Sequence, residues 1–210
     1  MAAQKKLTRA EQKALRPVQI LHAAFEEFVK CGFSGTRVED IADRVGVTKG
    51  TIYVYFETKE KLFEAMIIHF SVPFQELLAI ADRLSGSATD RLTSILGLFY
   101  DQIPEDRTTR ELTRLVISEG QRFPDLIDRH HDQFIAPIIA KIDALILEGV
   151  AAGEFRPIPV EFSDIVVAPI LTTTVLRLIF DDRRVPTPNK EAFLRTYFDL
   201  LFNGLLANPL

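Results

Sequence analysis

An all-α fold of about nine helices is what this sequence predicts, from three observations. Apolar residues recur at helical spacing along most of the chain. No run alternates apolar and polar residues as a half-buried strand would. Stretches containing Pro or Gly punctuate the chain at intervals of helix length. The 210 residues, 47% hydrophobic and 26% charged, have a globular composition and suffice for one large or two small domains. No internal repeat or low-complexity segment stands out.

Taken in order, Ile20, Ala24, Phe28 and Cys31 put one apolar stripe on a first helix over about 17–31, with Cys31 as a small buried hydrophobe. Pro17 suits its first turn, and Gly32 its C′ position, where positive φ is needed. Thr36, with Glu39 three residues on, reads as the capping box of a second helix. Its inner face is Val38, Ile41, Ala42 and Val45, and Gly46 ends it. Thr48 caps a short third helix running to about Tyr55. Thr58, with Lys61 and Leu62, opens a fourth that carries Leu62, Phe63, Met66, Ile67, Phe70, Phe74, Leu77 and Leu78. Pro73 removes a backbone donor there and predicts a kink. SGSATD at 85–90 is a loop, and further helices are expected at about 88–103, 108–119, 124–151, 161–182 and 190–206. The breaks between them are IPEDRT, RFPD, GEFRPIP and RVPTPN.

A net charge of −4 conceals an asymmetry. Residues 1–61 hold 11 Lys/Arg against 8 Asp/Glu, a net of +3, and residues 62–210 hold 14 against 21, a net of −7. A basic end on an acidic body suggests contact with phosphates at that end, and ordinary surface charge is the alternative. One cysteine forbids an internal disulfide, and a reducing, cytoplasmic setting follows. The polar start MAAQKKLTRAEQKALR does not read as a signal peptide, and no apolar run is expected to span a membrane.

The chemistry concentrates in TRVEDIADRVGVTKGTIYVYF, where two short helices flank the turn VGVT. That spacing is helix-turn-helix, with Gly46 at the bend and Val47 filling the angle. In such a unit the second helix enters the major groove by its N-terminal end. Thr48, Lys49, Gly50 and Thr51 stand there, small or long-reaching, and Gly50 suits a place where DNA comes close. Ile52 and Phe56 face inward, with Val54 assisting, and Tyr53 and Tyr55 face outward. Their hydroxyls, with Thr36, Arg37, Thr48, Lys49 and Lys59, form an expected phosphate-binding rim. The start of the fourth helix adds backbone donors.

The stretch FSGTRVEDIADRVGVTKGTIYVYFETKEKLFEAM resembles the DNA-binding domain of TetR-family transcriptional regulators. The matched positions are Thr36, Ile41 and Ala42, then Gly46, Val47, Gly50, Ile52, Tyr53, Tyr55 and Phe56, then Lys59 and Leu62. The resemblance covers about residues 17–66 and implies a homodimer on a palindromic double-stranded operator, a divergent ligand-binding body and repression of nearby genes. Glu57 departs from it, its charge opposing a phosphate partner. Residues 1–16 resemble the basic arm that some members lay along DNA, and a disordered tail is the alternative. The expected organisation is this arm, a DNA-binding domain over 17–61, and a ligand-binding and dimerisation domain over 62–210.

In the body, Phe99, Tyr100, Leu115, Glu119, Phe123, His130, Phe134, Ile138 and Thr173 are the candidate lining of an effector cavity for a small, largely apolar or aromatic ligand, or else plain core. Glu119 is expected to pair internally with Arg122, Arg114 or Arg177, since a buried carboxylate needs a partner. Thr172, Thr173 and Thr174 are expected to bond their own helix carbonyls. His130 and His131 are adjacent and diverge by about 100° on a helix, so no metal site is expected. Residues 162–180 are apolar nearly all round, and 193–206 less strictly so. Phe162, Ile165, Leu176, Ile179, Phe193, Tyr197, Leu201 and Gly204 are therefore the expected faces of a four-helix interface between two copies, with a core helix pair of a monomer as the alternative. No glycine-rich phosphate loop, nucleophile elbow or metal-ligand spacing suggests an enzyme or a cofactor. The competing readings are a repressor released by a small molecule and a DNA-binding dimer whose body serves only dimerisation or a protein partner.

Overall fold

A computed structural model of the chain describes residues 9–157, 164–180 and 189–205. Its helices are α1 (Arg9–Gly35), α2 (Val38–Val45), α3 (Lys49–Tyr55), α4 (Lys59–Ala81), α5 (Ala88–Tyr100), α6 (Arg107–Glu119), α7 (Pro124–His130), α8 (Ala136–Ala151), α9 (Ala168–Ile179) and α10 (Lys190–Leu205). Single π-helical segments, Asp101–Glu105 and His131–Ile135, follow α5 and α7. The stretch from α7 through the second π segment to α8 is unbroken over 124–151, the span predicted for one helix. With that stretch taken as one, the described residues form nine helices, as expected.

Two compact units emerge. The first holds the described residues up to Phe70 together with Leu115–Leu126. The second holds Ser71–Arg114 and the described residues from Ile127 onward. Leu115–Leu126, read from sequence as part of the body, thus packs with the N-terminal helices. The first core contains Ile20, Ala24, Phe28, Ile41, Ile52, Leu62, Met66 and Leu115, all essentially inaccessible. Four phenylalanines from distant parts of the chain close around one another. The ring centroids of Phe28 and Phe63 lie 5.0 Å apart, those of Phe33 and Phe123 4.8 Å, and those of Phe63 and Phe123 5.0 Å. Edge-to-face and tilted geometries at these distances are favourable for aromatic quadrupoles.

Several local expectations change. α1 starts at Arg9 rather than near Pro17, which lies inside it. RAEQKALR is rich in strong helix formers and needs no apolar stripe to be helical. Gly32 does adopt the left-handed conformation (φ 68°). Beyond that bend the buried positions pass from Phe28 to Phe33, so Cys31 is exposed rather than buried. The N-cap of α2 is Arg37, with no side-chain cap, rather than Thr36. α4 runs on through Pro73. Contrary to the expectation that no apolar run is long enough, α4 could cross a membrane by length and composition alone; Leu62, Phe63, Met66 and Ile67 in it are buried. α9 starts at Ala168 instead of 161, after a 3-10 turn over 164–166, with Pro169 in the first turn, where its missing N–H goes unmissed.

The second unit packs α5 against α8, α9 against the first π segment and α10 against α5. Leu92, Leu96, Tyr100, Ile142, Ile146 and Phe155 form its centre. Gly149 makes this possible, because a Cβ there would stand 2.2 Å from Cδ2 of Phe155. A carboxylate ties the same corner together. Glu154 accepts the N–H groups of Ala88 and Thr89, each at 3.0 Å, at the start of α5. These bonds hold its carboxyl below the usual range.

Candidate nucleic-acid interface and effector cavity

The α2–turn–α3 unit closes as its local sequence demands. Gly46 is left-handed (φ 75°); its N–H donates to the Asp43 carbonyl at 3.1 Å and that of Val47 to the Ala42 carbonyl at 3.0 Å. This is a Schellman closure. The Thr48 hydroxyl then accepts the Thr51 N–H at 3.2 Å and caps α3, and the Thr58 hydroxyl accepts the Lys61 N–H at 3.0 Å and caps α4. Ile52 is the inward anchor of α3, at 1% exposure, and Phe56 is half-buried. Val54, expected to assist them, is 80% exposed.

The outward face gathers most of the predicted DNA-facing residues. Thr48, Lys49, Gly50 and Tyr53 are exposed, Thr51 and Tyr55 half-buried, and Arg37 is exposed at the head of α2. The Lys49 ammonium sits 5.7 Å from the centre of the Tyr53 ring and 2.8 Å from Oε1 of Glu39. Sequence spacing makes Glu39 only the second half of a capping box. With Thr36 out of the cap position, its carboxylate turns to Lys49 instead.

Two predicted rim residues have other duties. Thr36 is buried, and its hydroxyl donates to the Gly32 carbonyl at 2.7 Å and the Glu27 carbonyl at 3.0 Å. It closes the end of α1 rather than joining the rim. The Lys59 ammonium lies 4.5 Å from the centre of the Phe33 ring, and partial burial lowers its pKa. The Arg122 guanidinium also lies 4.5 Å from that ring centre and donates to the Ser34 hydroxyl at 2.7 Å. Glu119 completes the cluster by accepting the Phe33 N–H at 3.0 Å. Its partner is thus a backbone amide rather than one of the arginines the sequence offered. Arg114 bonds Glu111, and Arg177 donates to the Pro104 carbonyl at 2.6 Å.

In the second unit, Phe99 and Ile138 line an apolar cavity of about 110 Å³, together with Phe74, Ile103, Val167 and Ile170. His130 is buried, 6.5 Å from Phe74 and 5.5 Å from Phe134 between ring centroids. Its Nε2 and the Tyr100 hydroxyl are buried with no hydrogen-bond partner among the described residues. Burial, then the neighbouring His131, lowers the His130 pKa. Thr173 spends its hydroxyl on the Pro169 carbonyl and Thr174 on that of Ile170, as expected. Leu115, Glu119 and Phe123 belong to the first unit.

The predicted dimer face divides in two. Ile165 and Ile179 are 64% and 65% exposed, Leu171, Val175 and Leu176 are also exposed, and Leu200 joins them at 70%. Gly204 is exposed and Leu201 half-buried. Tyr197 instead turns inward, its hydroxyl donating to the Val166 carbonyl, and burial pushes its pKa up. The Phe193 ring lies tilted against that of Tyr100, with centroids 5.0 Å apart. Phe162 lies outside the described residues.

Residues 20–66 match the family model described as bacterial regulatory proteins, tetR family. The chain is 26% identical to the HTH-type transcriptional regulator YhgD of Bacillus subtilis over 191 residues, 90% of this chain and 96% of that protein. It is 29% identical to the HTH-type transcriptional repressor KstR2 of Mycolicibacterium smegmatis over 147 residues, 70% of each chain. A crystal structure of the transcriptional regulator FadR from Bacillus subtilis, in complex with stearoyl-CoA, has the same fold. Its TM-score is 0.71 at 19% identity, covering 89% of this chain and 98% of that one. The chain therefore carries the helix-turn-helix domain of the TetR family of bacterial regulatory proteins over residues 20–66, within an all-α framework shared with such regulators.

Proposed function

We propose that this protein is a homodimeric, cytoplasmic DNA-binding repressor, released from a palindromic operator by a small, largely apolar effector. The observation that carries the reading is the solvent-facing start of α3. It presents Thr48, Lys49, Gly50 and Tyr53 while Ile52 alone anchors that helix deeply. Such a face is built for phosphates and base edges rather than for the protein's own core. The exposed apolar side chains of α9, of the turn before it and of α10 supply the second half of the reading. Ile165, Ile179 and Leu200 are each mainly exposed, apolar surface of this kind calls for a partner, and a second copy covers it by symmetry.

The apolar cavity in the second unit supports an effector over a body that only dimerises, and FadR, which shares this fold, was solved with stearoyl-CoA, a ligand with a long acyl chain. An effector acts by binding the arrangement unable to hold DNA more tightly, and reciprocity requires that DNA weaken its binding in turn. The test is to select bound fragments from the source genome and repeat the gel shift with Tyr53→Phe and Lys49→Ala. Both variants should bind the recovered fragment more weakly at unchanged thermal stability. Unchanged affinity in both would remove α3 as the reading helix.

A further inference from the structure

We propose that Glu39 is a built-in rival for Lys49, one that weakens binding to arbitrary DNA and so sharpens the discrimination of α3. This inference rests on the DNA-binding reading above. The two side chains come from different helices and meet at 2.8 Å on the open face. They are 43% and 48% exposed, so the pair is not a core element. An exposed pair of this kind adds little to stability. Its placement matters more, because any partner of Lys49 must displace Glu39 or share the lysine with it.

A phosphate and a base edge differ as competitors. A phosphate brings full negative charge toward the Glu39 carboxylate, so Lys49 exchanges one anion for another while Glu39 repels the newcomer. A guanine edge offers Lys49 two acceptors, O6 and N7, and carries no net charge for the carboxylate to repel. Glu39 therefore penalises backbone-only contact more than base-directed contact, which is specificity through a repulsive element. Its carboxyl is held below the usual range by the Lys49 hydrogen bond, then by the backbone amide at its own position, so the rival charge persists at neutral pH.

The test is a salt titration of wild type, Glu39→Gln, Lys49→Ala and the double variant. The probes are the genomically selected duplex and a scrambled duplex of equal length and composition. Glu39→Gln should bind the scrambled duplex about two- to fivefold tighter. Its log K against log salt slope should steepen by about 0.9, as for one further neutralised phosphate. The selected duplex should gain less, so the affinity ratio narrows, and the gain should vanish when Lys49 is also Ala. Unchanged affinity and slope for the scrambled duplex overturn the proposal. So does a gain that survives in the Lys49→Ala background, which assigns the effect to bulk charge. Failure of the wild type to bind either duplex removes the DNA-binding reading itself, before any variant is compared.

Discussion

The Glu119 carboxylate accepts the backbone N–H of Phe33 at 3.0 Å, across 86 positions of sequence. The contact sits where α1 bends at Gly32, whose left-handed φ of 68° interrupts the helix. An amide just past such a bend needs an outside acceptor, and the last residue of α6 supplies one. Arg122, one turn on, covers the Phe33 ring from 4.5 Å.

Glu119→Ala should destabilise the protein by about 1–3 kcal/mol, the range for leaving a buried donor unpaired. Glu119→Gln keeps a carbonyl acceptor and should recover most of that loss. Urea unfolding of the two variants separates the cases; equal losses would mean that the charge matters and the hydrogen bond does not.

Gly50→Ala should have opposite effects on folding and on DNA binding. An added Cβ would meet only the Thr48 hydroxyl oxygen, at 3.8 Å, and φ at this position is not left-handed. Alanine should therefore stabilise α3 by roughly 0.5–1 kcal/mol. If DNA approaches the backbone here, the same methyl weakens the complex. A thermal melt paired with a gel shift reads both signs, and undiminished operator affinity would refute the close approach.

Acid should destabilise the protein in part through His130. Burial lowers the pKa of the folded imidazole below the unfolded value of about 6.5. The unfolded chain then binds more protons below that pH, so stability is full above about pH 6.5 and falls as pH drops. His69, lowered by burial and by His22, adds to the same trend. His130→Phe should make the acid limb of unfolding free energy against pH shallower. A limb as steep as wild type would place the proton elsewhere.

Ile179→Glu with Leu200→Glu should separate the proposed dimer without unfolding the protomer. Both residues are mainly exposed in the single chain, so the substitutions add no buried charge to its core. A loss of about 2 kcal/mol or more, a shift of roughly thirtyfold in the dissociation constant, is typical for the centre of an apolar interface. Sedimentation equilibrium measures it, and an unshifted association constant would move the interface away from α9 and α10.

What the chain determined by itself is what short-range chemistry controls. The Gly46 closure, the Thr48 and Thr58 caps, the inward turn of Ile52 and the exposure of Tyr53 each depend on residues within a turn or two of one another. So does the self-bonding of Thr173 and Thr174. The tertiary structure alone decided where competing partners meet. Thr36 looked like a cap, yet its hydroxyl closes the end of α1, because the Gly32 bend brings those carbonyls within reach. Cys31 kept helical spacing with Phe28, yet the bend hands the core to Phe33. Glu119 and Phe123 kept helical spacing, yet Glu119 bonds Phe33 of α1 and Phe123 packs on Phe33 of α1 and Phe63 of α4. Glu39 found Lys49 only once two helices had docked. Periodicity reports which side of a helix is turned inward, and it carries no information about which distant segment waits there.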